Sequence, residues 1–193
     1  MKENKYDDAR FFERYGSMAR SVKGLEGAGE WHALRKMLPP FDAKDVLDLG
    51  CGFGWHCRYA AEHGASSVLG IDLSEKMIAG ARERNALPGI EYRRVPIEDY
   101  DYPPAAFDVV ISSLAFHYLE SFDDICRKVR RTLRPGGKFV FSVEHPVFTA
   151  DGREEWYRDA EGRVLHWPVD RYFRKGAAWP IFSARRSSST IRR

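Results

Sequence analysis

The sequence predicts an α/β fold in which a doubly wound parallel sheet carries helices on both faces. A short apolar segment at 45–49 is followed by glycines at three alternate positions and then by a helical pattern. Apolar segments of strand length then alternate with segments of helix length to about residue 144. This alternation predicts the strand order 3-2-1-4-5, with a ligand site at the switch between strands 1 and 4.

Local signals place each element of this core. Residues 1–40 are predicted to form an N-terminal helical cap, whose second helix, near 30–38, ends at Pro39-Pro40. Ser74 is the predicted N-cap of a later helix, and Glu75 lies near the positive end of that helix dipole. The predicted strands are 45–49, 67–71, 90–95, 107–113 and 137–144, and the predicted core helices are 55–63, 74–84 and 121–133.

The turn after the first strand indicates a site for a nucleoside cofactor. Gly50, Gly52 and Gly54 follow the strand, and a glycine tolerates φ > 0 and lets a ligand approach the backbone closely. Asp72 ends the second strand 22 residues after Gly50, where its carboxylate can accept hydrogen bonds from a ribose diol. A glycine-rich turn without a ligand is the alternative, and Asp72 argues against it.

The spacing argues against two common nucleotide sites. A dinucleotide fingerprint needs a third glycine where this chain has Trp55, and Asp48 would repel a pyrophosphate although it suits a positively charged ligand. No G-x-x-x-x-G-K-[ST] run is present to cradle a nucleoside triphosphate. A nicotinamide-dependent oxidoreductase is therefore disfavoured.

Four motifs in order carry a family resemblance: Asp48 to Gly54, Asp72, Phe107 to Val110, and Leu133 to Gly137. From about Asp45 to His145 the chain resembles class I S-adenosylmethionine-dependent methyltransferases, which have a Rossmann-like fold. Among them it is most similar to small bacterial enzymes described only as general methyltransferases. The resemblance implies that S-adenosylmethionine is the cofactor and that its methyl group passes by in-line displacement to a small-molecule acceptor.

The resemblance also implies a set of cofactor-binding residues. Asp48 would bind or orient the cofactor's amino group, directly or through water, and Asp72 would hold the ribose hydroxyls. Tyr15 and Arg20, on the N-terminal segment, are placed near the methionine carboxylate by their position alone. The remaining candidates are Gly50, Cys51 and Gly52 at the methionine and ribose, Leu73, Met77, Ile97 and Glu98 at the adenine, and Ser113 and Leu114 after strand 4.

A general base could assist transfer to an oxygen or nitrogen atom. His117 is the catalytic candidate, because imidazole titrates near neutral pH, and His145 after strand 5 is a second. Each could instead be a structural histidine. The segment after strand 4 lacks the N-P-P-Y or D-P-P-Y pattern of methyltransferases that act on amino groups of nucleobases.

Composition predicts an ordinary cytoplasmic protein of one domain. Of its 193 residues, 44% are hydrophobic and 31% are charged, and no apolar stretch would span a membrane or serve as a signal segment. The three cysteines are expected to be reduced, and no C-x-x-C or H-x-x-x-H spacing predicts a metal site. Without the five basic residues after position 174, the chain carries 26 basic and 28 acidic side chains, which predicts no nucleic-acid partner.

The C-terminal region departs from the family pattern. Residues 146–174 are predicted to form an aromatic-rich lid or loop, which covers either a substrate pocket or the sheet edge. Residues 175–193 show no periodicity, and the antiparallel strand pair that usually closes the family's sheet has no counterpart there. A frameshifted or disordered tail would explain this, and a cofactor-binding but inactive or truncated relative remains the alternative function. The sequence specifies neither the acceptor nor the oligomeric state.

Overall fold

The computed structural model describes residues 5–145, 147 and 155–169, and the chain divides into two compact units, 1–143 and 144–193. In the first unit the strands are β1 (Asp45–Leu49), β2 (Ser67–Asp72), β3 (Ile90–Arg94), β4 (Phe107–Ser113) and β5 (Leu133–Ser142). They form one parallel sheet in the order β3-β2-β1-β4-β5. The predicted fold and strand order are therefore confirmed.

The last strand differs most from its prediction. It begins at Leu133 rather than at 137, because Leu133 pairs with Phe107 before the register shifts and Lys138 pairs with Val109. Gly136 lies between the two pairings with φ 80. The Pro-Gly-Gly sequence, which is typical of a turn, is thus accommodated as an irregularity inside the strand.

Helices cover the sheet and precede it. Ser74 accepts a hydrogen bond from the Met77 amide at 3.1 Å, so its predicted N-cap role is confirmed. The N-terminal cap contains three short α-helices, and Trp31 and Leu34 of the third pack with Val140 of β5. The helices are α1 (Ala9–Gly16), α2 (Ala19–Val22), α3 (Trp31–Met37), α4 (Trp55–Glu62), α5 (Glu75–Arg84) and α6 (Phe122–Thr132).

Both faces of the sheet are buried, because successive side chains of a strand point to opposite sides. Val46 of β1 packs in one core cluster with Cys57 of α4 and Ile78 of α5. Its neighbour Leu47 packs in a second cluster with Ile125 of α6. The central strands are thus packed on both faces, and the loops at the carboxyl ends of β1, β2 and β4 start from this core.

The second unit contains a small hairpin where the sequence predicts a lid or loop. Strands β6 (Tyr157–Arg158) and β7 (Val164–His166) pair antiparallel in a sheet of their own. Asp159 holds the turn, since its Oδ1 accepts hydrogen bonds from the amides of Glu161 at 3.1 Å and Arg163 at 2.8 Å. Strands this short are not long enough to show an alternation of apolar and polar residues in the sequence. The predicted tail, 175–193, lies outside the described residues.

Three further observations concern the described part of the chain. It contains no helix of the length and apolarity that a membrane crossing requires. Within the same residues, no cluster of three or more His, Cys, Asp or Glu side chains could hold a metal ion. Cys51, Cys57 and Cys126 are free thiols, and burial raises the pKa of Cys51 to about 11.

Candidate active site

The glycine turn connects β1 to α4 and is tied to the end of β2. The amides of Gly50 and Cys51 both donate to the carbonyl oxygen of Ile71 at 2.9 Å. Gly52 has φ 52, and a Cβ added there would meet no atom within 4 Å. At Gly50, by contrast, an added Cβ would lie 2.6 Å from the Cβ of Ala115. The turn therefore packs tightly against the loop after β4 and leaves open space at Gly52.

Asp72 joins this turn to the start of α5. Its Oδ2 accepts a hydrogen bond from the Gly52 amide at 2.9 Å, and its Oδ1 accepts one from the Ser74 amide at 2.8 Å. Burial raises the pKa of Asp72, and these two backbone donors oppose that increase. A carboxylate has about four acceptor positions, so two anchoring bonds leave capacity for a ligand hydroxyl.

Asp48 lies beneath the turn with a side chain that is incompletely satisfied. The residue is 1% exposed, and its Oδ2 accepts a hydrogen bond from the Cys57 thiol at 3.3 Å. Its Oδ1 is buried and has no hydrogen-bond partner among the described residues. Burial, with a smaller contribution from the negative charge of Asp72, raises the pKa of Asp48 to about 7. An unsatisfied carboxylate oxygen at this position fits a ligand with a positive charge.

This elevated pKa predicts a specific pH dependence of stability. The folded protein holds the Asp48 proton to about pH 7 whereas the unfolded chain releases it near pH 4, so stability decreases as the pH rises between these values. From pH 5 to pH 7 we expect this residue to lower the free energy of unfolding by about 2 kcal/mol. Asp48→Asn should remove that decrease in urea unfolding at both pH values. Asp42→Asn, at an exposed residue, is the control, and parallel profiles for D48N and wild type would contradict the prediction.

The adenine-side candidates differ in how accessible they are. Ile97 approaches the turn, since its Cδ1 lies 3.4 Å from the position of a Cβ added at Gly50. Leu73 is half-buried, but Met77 is only 2% exposed and faces the core. Glu98 has a half-buried side chain, and its carbonyl oxygen accepts a hydrogen bond from Lys128 at 2.7 Å. Ile97 is thus the one of these four that the described contacts bring to the turn.

The end of β4 connects to the N-terminal segment. The Ser113 hydroxyl lies 3.1 Å from the Ser142 hydroxyl and donates to Glu30 Oε1 at 3.2 Å. Leu114 has φ 52, and its amide donates to the Ser142 carbonyl at 2.9 Å. Holding a non-glycine residue in this left-handed backbone conformation costs about 1–3 kcal/mol, and such residues are common at functional sites. Both Ser113 and Leu114 therefore lie at a constrained bend beside the glycine turn.

The two candidate bases occupy different environments. His117 lies in the 3-10 turn Phe116–Tyr118, where burial lowers its pKa. Its buried Nδ1 has no partner in the described part of the chain, and its ring lies 4.2 Å from that of Tyr118. His145 belongs to the second unit, where its Nδ1 accepts a hydrogen bond from the Val147 amide at 3.2 Å. No described contact brings His117 to the glycine turn.

Sequence reasoning missed the N-terminal residues that reach the carboxyl edge of the sheet. Asp7 accepts hydrogen bonds from the Ser74 hydroxyl at 2.5 Å and from the Lys76 amide at 3.2 Å, at the start of α5. The hydroxyl of Tyr6 lies 3.2 Å from that of Tyr118. These partners are 67 to 112 residues apart in the chain, so no local pattern could reveal them.

Comparisons with known proteins identify the family of this chain. A model of the methyltransferase domain matches residues 47–141. An S-adenosylmethionine-dependent methyltransferase of Mesorhizobium loti is 54% identical, with a TM-score of 0.71, over 77% of this chain and 68% of that one. A proposed S-adenosylmethionine-dependent methyltransferase of Listeria monocytogenes is 63% identical, also with a TM-score of 0.71, over 75% of this chain and 68% of that one.

Curated relatives have names that imply different acceptors. The tRNA U34 carboxymethyltransferase of Hahella chejuensis is 33% identical over 80% of this chain. The malonyl-[acyl-carrier protein] O-methyltransferase of Enterobacter lignolyticus is 36% identical over 64% of this chain. The chain spans 45% and 48% of those two proteins, respectively. The names of the two solved structures agree on S-adenosylmethionine, whereas the names of the two curated relatives differ in the acceptor. This chain therefore belongs to the class I S-adenosylmethionine-dependent methyltransferases, and its cofactor is S-adenosylmethionine.

Proposed function

We propose that this enzyme transfers the methyl group of S-adenosylmethionine to a small-molecule acceptor. The observation that carries the proposal is the hydrogen bond between Gly52 and Asp72 beside the open space at Gly52. The residues fit the cofactor: Gly52 leaves room for it, and Asp48 offers an unsatisfied buried oxygen to its amino group. When bound, the cofactor supplies a methyl group already activated by a positively charged sulfur.

The chain's own residues then have to bind the cofactor, orient the acceptor and enclose both. In this proposal Asp72 holds the ribose hydroxyls and Asp48 the amino group, while Ile97 packs on the adenine. The Tyr6 and Tyr118 hydroxyls meet at the carboxyl edge of the sheet and would help to exclude water from the site. Fixing the acceptor in line with the methyl carbon and the sulfur supplies much of the rate through proximity and orientation.

A small molecule is favoured over a nucleic acid as the acceptor. The cationic helix α6 would be the candidate phosphate-binding surface, but two of its cations already have partners. Arg127 pairs with Asp124 at 2.7 Å, and Lys128 donates to the Glu98 carbonyl at 2.7 Å. Binding along a phosphate backbone requires several unengaged Lys and Arg side chains on one face. The excess of acidic over basic side chains before position 175 supports the same proposal.

Calorimetry and label transfer together test this function. We expect the protein to bind both S-adenosylmethionine and S-adenosylhomocysteine, and to transfer label from [methyl-14C]S-adenosylmethionine into the small-molecule fraction of a bacterial extract. Heat-inactivated protein is the control. Binding without transfer would favour the inactive alternative, and label found only in the tRNA fraction would refute a small-molecule acceptor.

A further inference from the structure

A polar cluster lies on the side of the glycine turn opposite Asp72. Its centre is Glu30, whose Oε1 forms an ion pair with Arg20 and accepts a hydrogen bond from the Ser113 hydroxyl at 3.2 Å. Oε2 accepts no hydrogen bond from any residue that the structure describes. The Glu30 side chain is 25% exposed. One oxygen is therefore anchored by two donors, while the other remains available to a ligand.

The cluster is adjacent to the cofactor turn. Ser112 donates to the carbonyl of Leu49 at 2.8 Å, and Ala115 packs on Gly50, so the end of β4 that carries Ser113 lies along the turn. The pKa of the Tyr15 hydroxyl responds to charges on both sides of the turn. Burial raises the pKa of its hydroxyl, Arg20 opposes this, and the negative charges of Asp72 and Glu30 add to it.

We propose that Glu30 binds the methyl acceptor, with Oε2 accepting a hydrogen bond from the N–H or O–H group that is to be methylated. Glu30 takes the proton that the acceptor loses and passes it to water. Meanwhile the bond from the acceptor atom to the methyl carbon forms, and the bond from that carbon to sulfur breaks with its electron pair on the sulfur. This assignment rests on the proposed function.

The arrangement selects a class of acceptor. Arg20 and Ser113 both bind Oε1 and fix the orientation of the carboxylate without occupying Oε2. An amine or a hydroxyl compound can donate to that oxygen, whereas an acidic acceptor would bring a second negative charge against it. Glu30 is favoured over His117 as the base, because the Nδ1 of His117 is buried and no described contact joins it to the turn.

Label transfer followed by mild alkaline treatment tests this assignment for any acceptor in the extract. Amine and ether products keep their [14C]methyl group in base, whereas methyl esters release it as volatile methanol. We expect wild-type product to be stable in base. Glu30→Gln should reduce label transfer about 100-fold, since Gln can still accept from Arg20 and Ser113 but cannot take a proton. Glu26→Gln, at an exposed residue of the same segment, should transfer at the wild-type rate.

Cofactor affinity provides a readout that does not depend on turnover. Glu30→Gln should bind S-adenosylhomocysteine within twofold of wild type by calorimetry and keep the same melting temperature. A base-labile product, or unchanged transfer by Glu30→Gln, would overturn the assignment and leave the proposed function standing. A large loss of cofactor affinity would also overturn it, because Glu30 would then belong to the cofactor site. Wild-type protein that binds cofactor but labels nothing would refute the proposed function, and the assignment of Glu30 with it.

Discussion

Replacing Gly54 by alanine is expected to lower the free energy of unfolding by about 4 kcal/mol. Gly54 has φ 77, and an added Cβ would lie 2.3 Å from the hydroxyl oxygen of Tyr92 and 2.7 Å from two of its ring carbons. Tyr92 is buried and its hydroxyl lies 3.0 Å from the carbonyl of Asn85, so the ring cannot move aside cheaply. The expected loss combines left-handed backbone strain with overpacking of the core.

The matched control for this substitution is Gly52→Ala. Gly52 also has positive φ, 52, but its added Cβ would contact nothing within 4 Å. Only the backbone strain remains, so we expect a loss of about 1 kcal/mol. Urea unfolding of both variants measures the difference. Equal losses would mean that Tyr92 does not constrain the turn.

Asp72→Ala should weaken S-adenosylhomocysteine binding at least 200-fold, which corresponds to about 3 kcal/mol. In the proposed site this carboxylate accepts two hydrogen bonds from the ribose, and each bond to a charged group contributes about 1.5–3 kcal/mol. The substitution also removes the acceptor of the Gly52 amide, so the turn loses its anchor to β2. Titration calorimetry with the demethylated cofactor measures the effect without requiring an acceptor.

Two further variants make this test specific. Asp72→Asn retains a carbonyl oxygen for one of the backbone amides and should lose less affinity than Asp72→Ala. Asp101→Ala removes an exposed carboxylate of a loop and should bind as wild type does. Circular dichroism melting shows whether Asp72→Ala is folded at the temperature of the titration. Unchanged affinity in folded Asp72→Ala would mean that the ribose contact is wrongly assigned.

The fold was predictable because its signals are local. Each core strand is a short apolar segment between turn residues, and the alternation with helices leaves few topologies for a parallel sheet. The predicted strand boundaries are wrong where local sequence signals conflict with the pairing between strands. Pro135-Gly136-Gly137 is typical of a turn and the predicted strand begins only at 137, yet β5 runs through this sequence because Leu133 pairs with Phe107. The hairpin of β6 and β7 has strands of two and three residues, too short to show a period.

The site was predictable only in part, for a related reason. The glycine turn and Asp72 are contiguous motifs at strand ends, so the topology alone brings them together. Their hydrogen bond at Gly52 is consistent with that expectation. Glu30 and Ser113 are 83 residues apart and meet only because the N-terminal segment reaches the end of β4. Nothing in the sequence near Glu30 marks it as a candidate, since glutamates are common at the starts of helices.

The buried Asp48 has a consequence for the protein in the cell. Burial raises the pKa of its carboxyl to about 7, so the folded state loses stability as the pH rises to neutral. In the proposed site the ammonium group of S-adenosylmethionine would offset that cost, so the cofactor contributes more to folding than its own contacts alone. The fraction of folded molecules then depends on cofactor supply through mass action. Cofactor depletion would lower the amount of this enzyme as well as its rate.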